Sequence, residues 1–302
     1  MGQKYKLTIA VLTMNRADQL KEAVESCVLS VLPQSTQILV LDNASTDQTK
    51  EVVDALKETV SVPITYHKED INRGVGGGRN ILFDLAEGEY VYFLDDDAII
   101  HPDCKDRFFV DAIQYLDENT NVASLTTQIE DEIFGLSRTT TTQSKKIGGR
   151  PISMLYCGGS HFLRKSCFSS PLYFELQYGS EEYLPAIRAI NQGFYHVIDN
   201  EISIIHKPKV NKWVDGTERM RNVLIKGAAN VYATKKLLYP IVFHPILKLG
   251  YLRRCQQYLS PYPSAKKESD AIVKQLVKTN KVKKIKIVTV IHMYRDFGLT
   301  VF

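Results

Sequence analysis

Apolar and polar positions alternate in two distinct rhythms along the first hundred residues. LTIAVLT (7–13) and QILVLD (37–42) are β-branched, nearly unbroken apolar runs, and each stops at a polar turn. Between them, ADQLKEAVESCVLSVL sets Leu20, Ala23, Val24, Cys27, Val28 and Val31 at helical spacing. ASTDQTKEVVDALKETV continues as an amphipathic helix with Ser45 and Thr46 as capping candidates. PITYHK (63–68) reads as a short strand, GGGRNILFDLAEG as a helix closed by Gly88, and EYVYFLD as a further strand. Strand alternating with helix in this way predicts a doubly wound, mostly parallel α/β sheet. The polar clusters TMNR, DNASTD and DDD all fall at strand C-termini, the rim where such sheets collect ligands.

Beyond residue 105 the pattern is less regular. CKDRFFVDAIQYLDEN reads as helix, while VASLTTQIED and RTTTTQSKK read as strands or a mobile loop. PISMLYCGGSHFLRKSCF reads as strand, glycine turn and strand; SEEYLPAIRAINQGF as a helix ending at Gly193; YHVIDNEISIIH as a strand. From about Asn211 onward the chain is mostly helical and basic, and no internal repeat occurs. The expected division is a 1–210 α/β domain, in halves 1–105 and 106–210, followed by a 211–302 helical region.

Composition narrows the class. With 302 residues, 44% of them hydrophobic and 24% charged, a sizeable core is available. A net charge of +4 gives no case for a nucleic-acid partner. Cys27, Cys104, Cys157, Cys167 and Cys255 are odd in number, widely spaced and contain no CxxC pair, which argues against a disulfide framework or zinc site and suits a reducing compartment. MGQKYK leads into a strand without a signal-peptide core. No apolar run approaches the length needed to span a bilayer, and the best candidate, LLYPIVFHPILKLGYL (237–252), is broken by Pro240, His244, Pro245 and Lys248. The expectation is a cytoplasmic chain, peripheral at most to the inner face of a membrane.

Three segments carry candidate chemistry. Asp95, Asp96 and Asp97 follow the apolar run YVYFL. On an ideal strand Asp95 and Asp97 would share a face, where they could hold Mg²⁺ or Mn²⁺ against a diphosphate. The alternative is a solvated acidic turn. NRGVGGGRN (72–80) packs four glycines around Gly76 and places Arg73 and Arg79 where they could grip phosphate or a nucleobase. It matches neither a P-loop nor a dinucleotide fingerprint, and a plain loop before a helix is the competing reading. Asp42 and Asn43 could meet the imide edge of uracil or thymine, or Asn43, Ser45 and Thr46 could simply cap the next helix.

In this order and spacing TMNR, VLDNASTD, NRGVGGGRN and FLDDDAIIHP resemble the inverting family-2 glycosyltransferases of GT-A fold, firmly over residues 5–110 and more loosely to about 230. The resemblance implies a nucleotide-sugar half (1–105) and an acceptor half (106–210). It implies Asp97 as metal ligand, Asp95 as a metal-side or ribose contact beside Asp96, and Thr13, Asn15 and Arg16 near the nucleotide. Asp42 or Asn43 would read the base, with Arg73, Gly76 and Arg79 beside base or phosphate. His206 matches a histidine near the metal or diphosphate, and Gly158 and Gly159 an acceptor-side segment, although a structural histidine and an ordinary turn remain open. Trp213 would be a sugar platform or a core residue. An acidic pair beginning a later helix supplies the base: here Glu181 and Glu182, with Arg188 downstream, Glu182 being favoured. The pair departs from the usual pattern, since its second acid is Glu rather than Asp and Leu184–Pro185 replaces an acid–Leu pair. Both glutamates could instead merely suit a helix N-terminus.

The implied activity is hexosyl transfer from a UDP-sugar, or a dTDP-sugar, to a glycan, lipid-linked or protein acceptor, with Mn²⁺ or Mg²⁺. Nucleotidyl transfer is disfavoured by TMNR in the place of a Gly-rich loop, and a non-catalytic sugar-binding module by the intact carboxylates. The basic tail could lie on an anionic membrane or be a solvated face, and a homo-oligomer is compatible with the sequence.

Overall fold

A computed structural model describes residues 4–132, 135–136, 145–174, 179–208 and 218–302. The first half contains β1 (Tyr5–Thr13), α1 (Ala17–Val28), β2 (Thr36–Asp42), α2 (Thr49–Thr59), β3 (Ile64–Lys68), α3 (Gly74–Leu85), β4 (Gly88–Asp95) and β5 (Ala98–Ile100). Next come α4 (Phe108–Glu118), β6 (Val122–Asp131), β7 (Gly135–Leu136), β8 (Lys146–Ile147), β9 (Arg150–Ser153) and β10 (Ser160–Arg164). The rest comprises α5 (Tyr183–Asn191), β11 (Tyr195–His206), α6 (Glu218–Leu238), α7 (His244–Tyr258), α8 (Tyr262–Thr279) and α9 (Ile287–Phe297).

The eleven strands among the described residues form one sheet whose main path runs β3-β2-β1-β4-β10-β6-β11-β9-β8. β3, β2, β1 and β4 are mutually parallel, and the continuous apolar runs of β1, β2 and β4 suit a sheet covered by helices on both faces. β10 enters antiparallel between β4 and β6, and β6 is again parallel to β11. All seven residues of β2 are buried. α1 buries Leu20, Ala23, Val24 and Cys27 on its apolar stripe.

Several boundaries differ from the sequence reading. α1 ends at Val28, so Val31 leaves the stripe and is exposed. α2 starts only at Thr49, and Ser45 and Thr46 do not cap it; the Thr49 amide is met by Asp47 Oδ1 at 3.1 Å. Gly88 opens β4 rather than closing α3, because any side chain there would meet the Thr8 backbone nitrogen at 2.5 Å. Gly193, at φ +99°, does terminate α5 in the left-handed conformation that glycine favours. Arg138–Ser144 of the threonine-rich stretch, and Trp213, lie outside the described residues.

The C-terminal helices pack onto α5 rather than standing apart. Leu184 and Ile187 of α5 share a core with Leu238, Tyr239, Val290 and Met293. Asn191 Oδ1 accepts from the Lys286 amide and the Thr289 hydroxyl, each at 2.9 Å.

Candidate active site

Loops after β1, β2 and β4 converge at one rim, laced to one another before any ligand is considered. The Asn43 amide donates to the Thr13 carbonyl at 2.9 Å, and the Asn15 amide to Ser45 Oγ at 2.9 Å. Asn15 Oδ1 returns the contact by accepting from the Thr46 amide at 2.8 Å. Asn43 Oδ1 then accepts from the Arg73 amide at 2.8 Å, joining the loop before α3. Asn15, Ala44 and Ser180 hold positive φ of 53°, 70° and 61°. Non-glycine residues adopt such angles at a cost of about 1–3 kcal/mol, a strain that clusters at functional sites.

The three aspartates do not alternate as an ideal strand would place them. β4 ends at Asp95, so Asp96 and Asp97 occupy a turn and point together. Arg16 donates one hydrogen bond to each, at 2.7 Å, and Thr13 Oγ1 adds another to Asp96 at 2.8 Å. Asp95 turns instead to Arg79 at 2.8 Å, and Arg79 also donates to the Gly158 carbonyl at 2.7 Å. Burial pushes Asp96 up to about 6 against the opposing pull of Arg16. Buried carboxylates are tolerated only when cations and donors meet them; in this chain two arginines do so.

His206 reaches the same rim by strand pairing. β5 runs antiparallel to the end of β11, setting His206 opposite Ala98, and the Lys207 amide donates to the Asp97 carbonyl at 2.7 Å. Nε2 of His206 lies 3.3 Å from Asp97 Oδ1, while Nδ1 lies 2.9 Å from Asp131 Oδ2. Burial lowers the imidazole pKa, but the bonds to Asp97 and Asp131 outweigh it and leave the net shift upward. Asp131 was not singled out in the sequence; the available signal was an acid ending the apolar strand VASLTTQIED.

No cluster of three or more His, Cys, Asp or Glu ligands occurs among the described residues. The donor set nevertheless fits a divalent ion that keeps diphosphate and water oxygens. Asp97 offers a hard oxygen, His206 a neighbouring nitrogen, and Asp131 fixes the ring as outer carboxylates do for metal-binding histidines.

Glu182 immediately precedes α5 at its N-cap position and faces this rim across Gly158. Its Oε1 lies 3.7 Å from Arg79 Nη1. A side chain on Gly158 would run into that Oε1 and come within 2.8 Å of Arg79, so both side chains would have to shift to admit one. Burial, with Glu181 beside it and Arg79 only partly compensating, raises Glu182 to about 7. Gly159 similarly lies close to Asp95 Oδ2. Glu181 is buried next to this group.

Other candidates have local roles in the structure. Asp42 is fully buried, its oxygens accepting from the Ser45 amide at 2.6 Å and the Tyr66 hydroxyl at 2.5 Å. Arg73 points outward to Glu69 at 2.9 Å. Gly76 packs so tightly on the Phe174 carbonyl that any side chain would overlap it. Arg188 reaches the Pro171 carbonyl at 3.2 Å rather than the carboxylates.

Residues 8–168 match the sequence profile described as glycosyl transferase family 2, which is more than half of the chain. The chain belongs to that family. Among curated members it is 29% identical over 115 residues to poly(ribitol-phosphate) beta-N-acetylglucosaminyltransferase TarS of Staphylococcus aureus, a match over 38% of this chain and 19% of TarS. It is 35% identical over 92 residues to the GalNAc(5)-diNAcBac-PP-undecaprenol beta-1,3-glucosyltransferase of Campylobacter jejuni, covering 30% of this chain and 29% of that enzyme. The chain thus matches less than a third of the length of each. Solved structures extend the likeness in fold. S. aureus TarS 1–349 with UDP-GlcNAc aligns at TM-score 0.64 and 16% identity, over 98% of this chain and 89% of that one. A Pyrobaculum calidifontis mannosyltransferase with GDP-Man and Mn²⁺ aligns at 0.58 and 16% identity, over 98% and 81%. The family-2 chain therefore has the GT-A fold, its mostly parallel sheet continued by a helical C-terminal region.

Proposed function

We propose that the chain is an inverting glycosyltransferase that moves a hexose from a UDP-sugar, or a dTDP-sugar, to the hydroxyl of a glycan or lipid-linked acceptor. The observation that carries this reading is Glu182, a carboxylate raised to about 7 and held beside the Arg79–Asp95 pair at the strand-end rim. A general base works best with a pKa near the operating pH, where it is free to accept a proton and still basic enough to do so.

In this mechanism the acceptor hydroxyl sits between Glu182 and the anomeric carbon. Glu182 takes the hydroxyl proton, the oxygen attacks from the face opposite the nucleotide, and the bond to the diphosphate breaks with inversion. Arg79 orients Asp95 and limits the rise of the Glu182 pKa. Arg16 fixes Asp96 and Asp97, so their geometry is set before donor arrives. Asp97 and His206 would hold Mn²⁺ or Mg²⁺, which supplies charge neutralisation to the departing diphosphate. The division into a nucleotide-sugar half (1–105) and an acceptor half (106–210) belongs to the same proposal.

Relatives named for polymer and undecaprenol-linked acceptors support an acceptor of that kind. No helix among the described residues is long and apolar enough to cross a membrane. Ile287, Ile291 and Tyr294 leave one face of α9 apolar and exposed behind the basic KVKKIK segment, which supports peripheral contact with an anionic surface.

The test is release of nucleotide from a panel of UDP-, dTDP- and GDP-sugars with Mn²⁺, with and without EDTA, followed by transfer to lipid-linked acceptors. Metal-dependent turnover of a uridine or thymidine donor is expected. Turnover of none of the panel, with folded protein, would overturn the assignment.

A further inference from the structure

The C-terminal helices flank a second, open concave site, and none of its lining residues belongs to the transfer rim. The cleft lies between α6, α7 and α8 and has a volume of about 470 Å³, within the size range of small-molecule sites. Two of its lining residues, Tyr232 and Tyr251, stack in parallel with centroids 4.4 Å apart and planes 7° apart.

Five lysines line this space: Lys236 from α6, Lys248 from α7, and Lys266, Lys274 and Lys278 from α8. The one lining carboxylate, Asp270, is already engaged, since its oxygens accept from Lys266 and from the Tyr251 hydroxyl at 2.9 Å. No described carboxylate pairs with Lys236, Lys248, Lys274 or Lys278. On α8, Lys274 and Lys278 stand four residues apart, a spacing at which like charges repel. Cations from three helices converging on one concavity raise its positive potential and concentrate anions there. Ammonium groups on flexible stems suit the several oxygens of a phosphoryl group.

We propose that this cleft binds a phosphate-bearing ligand through Lys236, Lys248, Lys274 and Lys278, at a site separate from sugar transfer. The phosphate could belong to a free diphosphate or to a lipid headgroup, and the two sources are separable. Inorganic pyrophosphate and monomeric dihexanoylphosphatidylglycerol would each be titrated calorimetrically into the full chain at low ionic strength, where exposed charges are least screened. The triple substitution Lys248→Ala, Lys274→Ala, Lys278→Ala removes surface charge without touching the core. It is expected to weaken at least one of the two ligands tenfold or more. The corresponding three Lys→Arg substitutions should retain binding. Asp97→Asn should leave this binding component unchanged, and nucleotide release by the triple variant should match wild type, so the outcome does not depend on the transfer reading. Loss of pyrophosphate binding identifies a free phosphate ligand; loss confined to the lipid identifies a headgroup. Equal titrations of wild type and triple variant with both ligands, whether both bind or neither does, would overturn the proposal.

Discussion

Replacing Glu182 by Gln removes the proposed base while keeping its size, and its consequences for stability and for catalysis have opposite signs. The folded carboxyl holds its proton up to about pH 7, whereas the ordinary value is 4.5. From pH 4.5 upward the unfolded chain releases this proton first, so the folded state loses stability as pH rises, and the loss is complete above pH 7. At 1.36 kcal/mol per pKa unit the shift corresponds to ~3 kcal/mol, an upper figure because Glu181 shares the titration. Glu182→Gln should therefore leave stability near pH 4.5 unchanged and raise it by ~1–3 kcal/mol at pH 8, read from urea unfolding at both pH values. Transfer should fall by roughly 10²–10⁴-fold, with donor affinity nearly constant, as loss of a general base implies. Wild-type kcat/KM should climb with pH, with its midpoint near 7 and a plateau above it. A Gln variant that is no more stable at pH 8, or that transfers at the wild-type rate, would refute the reasoning; the same behaviour in Glu181→Gln alone would move the base by one residue.

Three further outcomes follow from the geometry. Asp97→Asn should abolish the EDTA-sensitive part of turnover while its thermal unfolding midpoint stays within a few degrees of wild type; undiminished Mn²⁺-dependent turnover would remove Asp97 from the metal site. Gly158→Ala places a methyl against Glu182 Oε1 and Arg79 Nη1, so kcat should drop at least tenfold with little change in donor affinity, measured by steady-state kinetics beside a donor titration. Gly76→Ala forces a methyl onto the Phe174 carbonyl and should cost ~1–3 kcal/mol of stability; a loss of donor binding without destabilisation would restore a phosphate-contact role for that glycine.

The parallel half of the sheet was readable because β1, β2 and β4 are buried on both faces and therefore spell continuous apolar runs. The rim was readable for the same reason, since polar clusters stand out where such runs stop. Local periodicity misplaced Asp96 and Asp97, because it assumes a strand that in fact ends at Asp95. It also missed that Arg16 and Arg79 would supply counter-charge to the aspartates, a pairing across about 80 and 16 residues respectively. Asp131 joined the site only through its place opposite His206 in the β6–β11 ladder. Glycines are ambiguous in sequence: Gly76 and Gly88 pack closely on backbone, which spacing alone cannot distinguish from an anion cradle or a helix stop.

The packing of α5 has a bearing on where the chain can be cut. Glu182 rides on a helix whose apolar side is sealed by residues from beyond position 230, and whose last turn is tied at Asn191 to the start of α9. A fragment stopping near 210 would keep the strand-end aspartates yet strip the support from beneath the glutamate. Such a fragment should still take up nucleotide while transferring nothing if Glu182 is the base, because α6 and α9 then serve as the support that holds α5 in place.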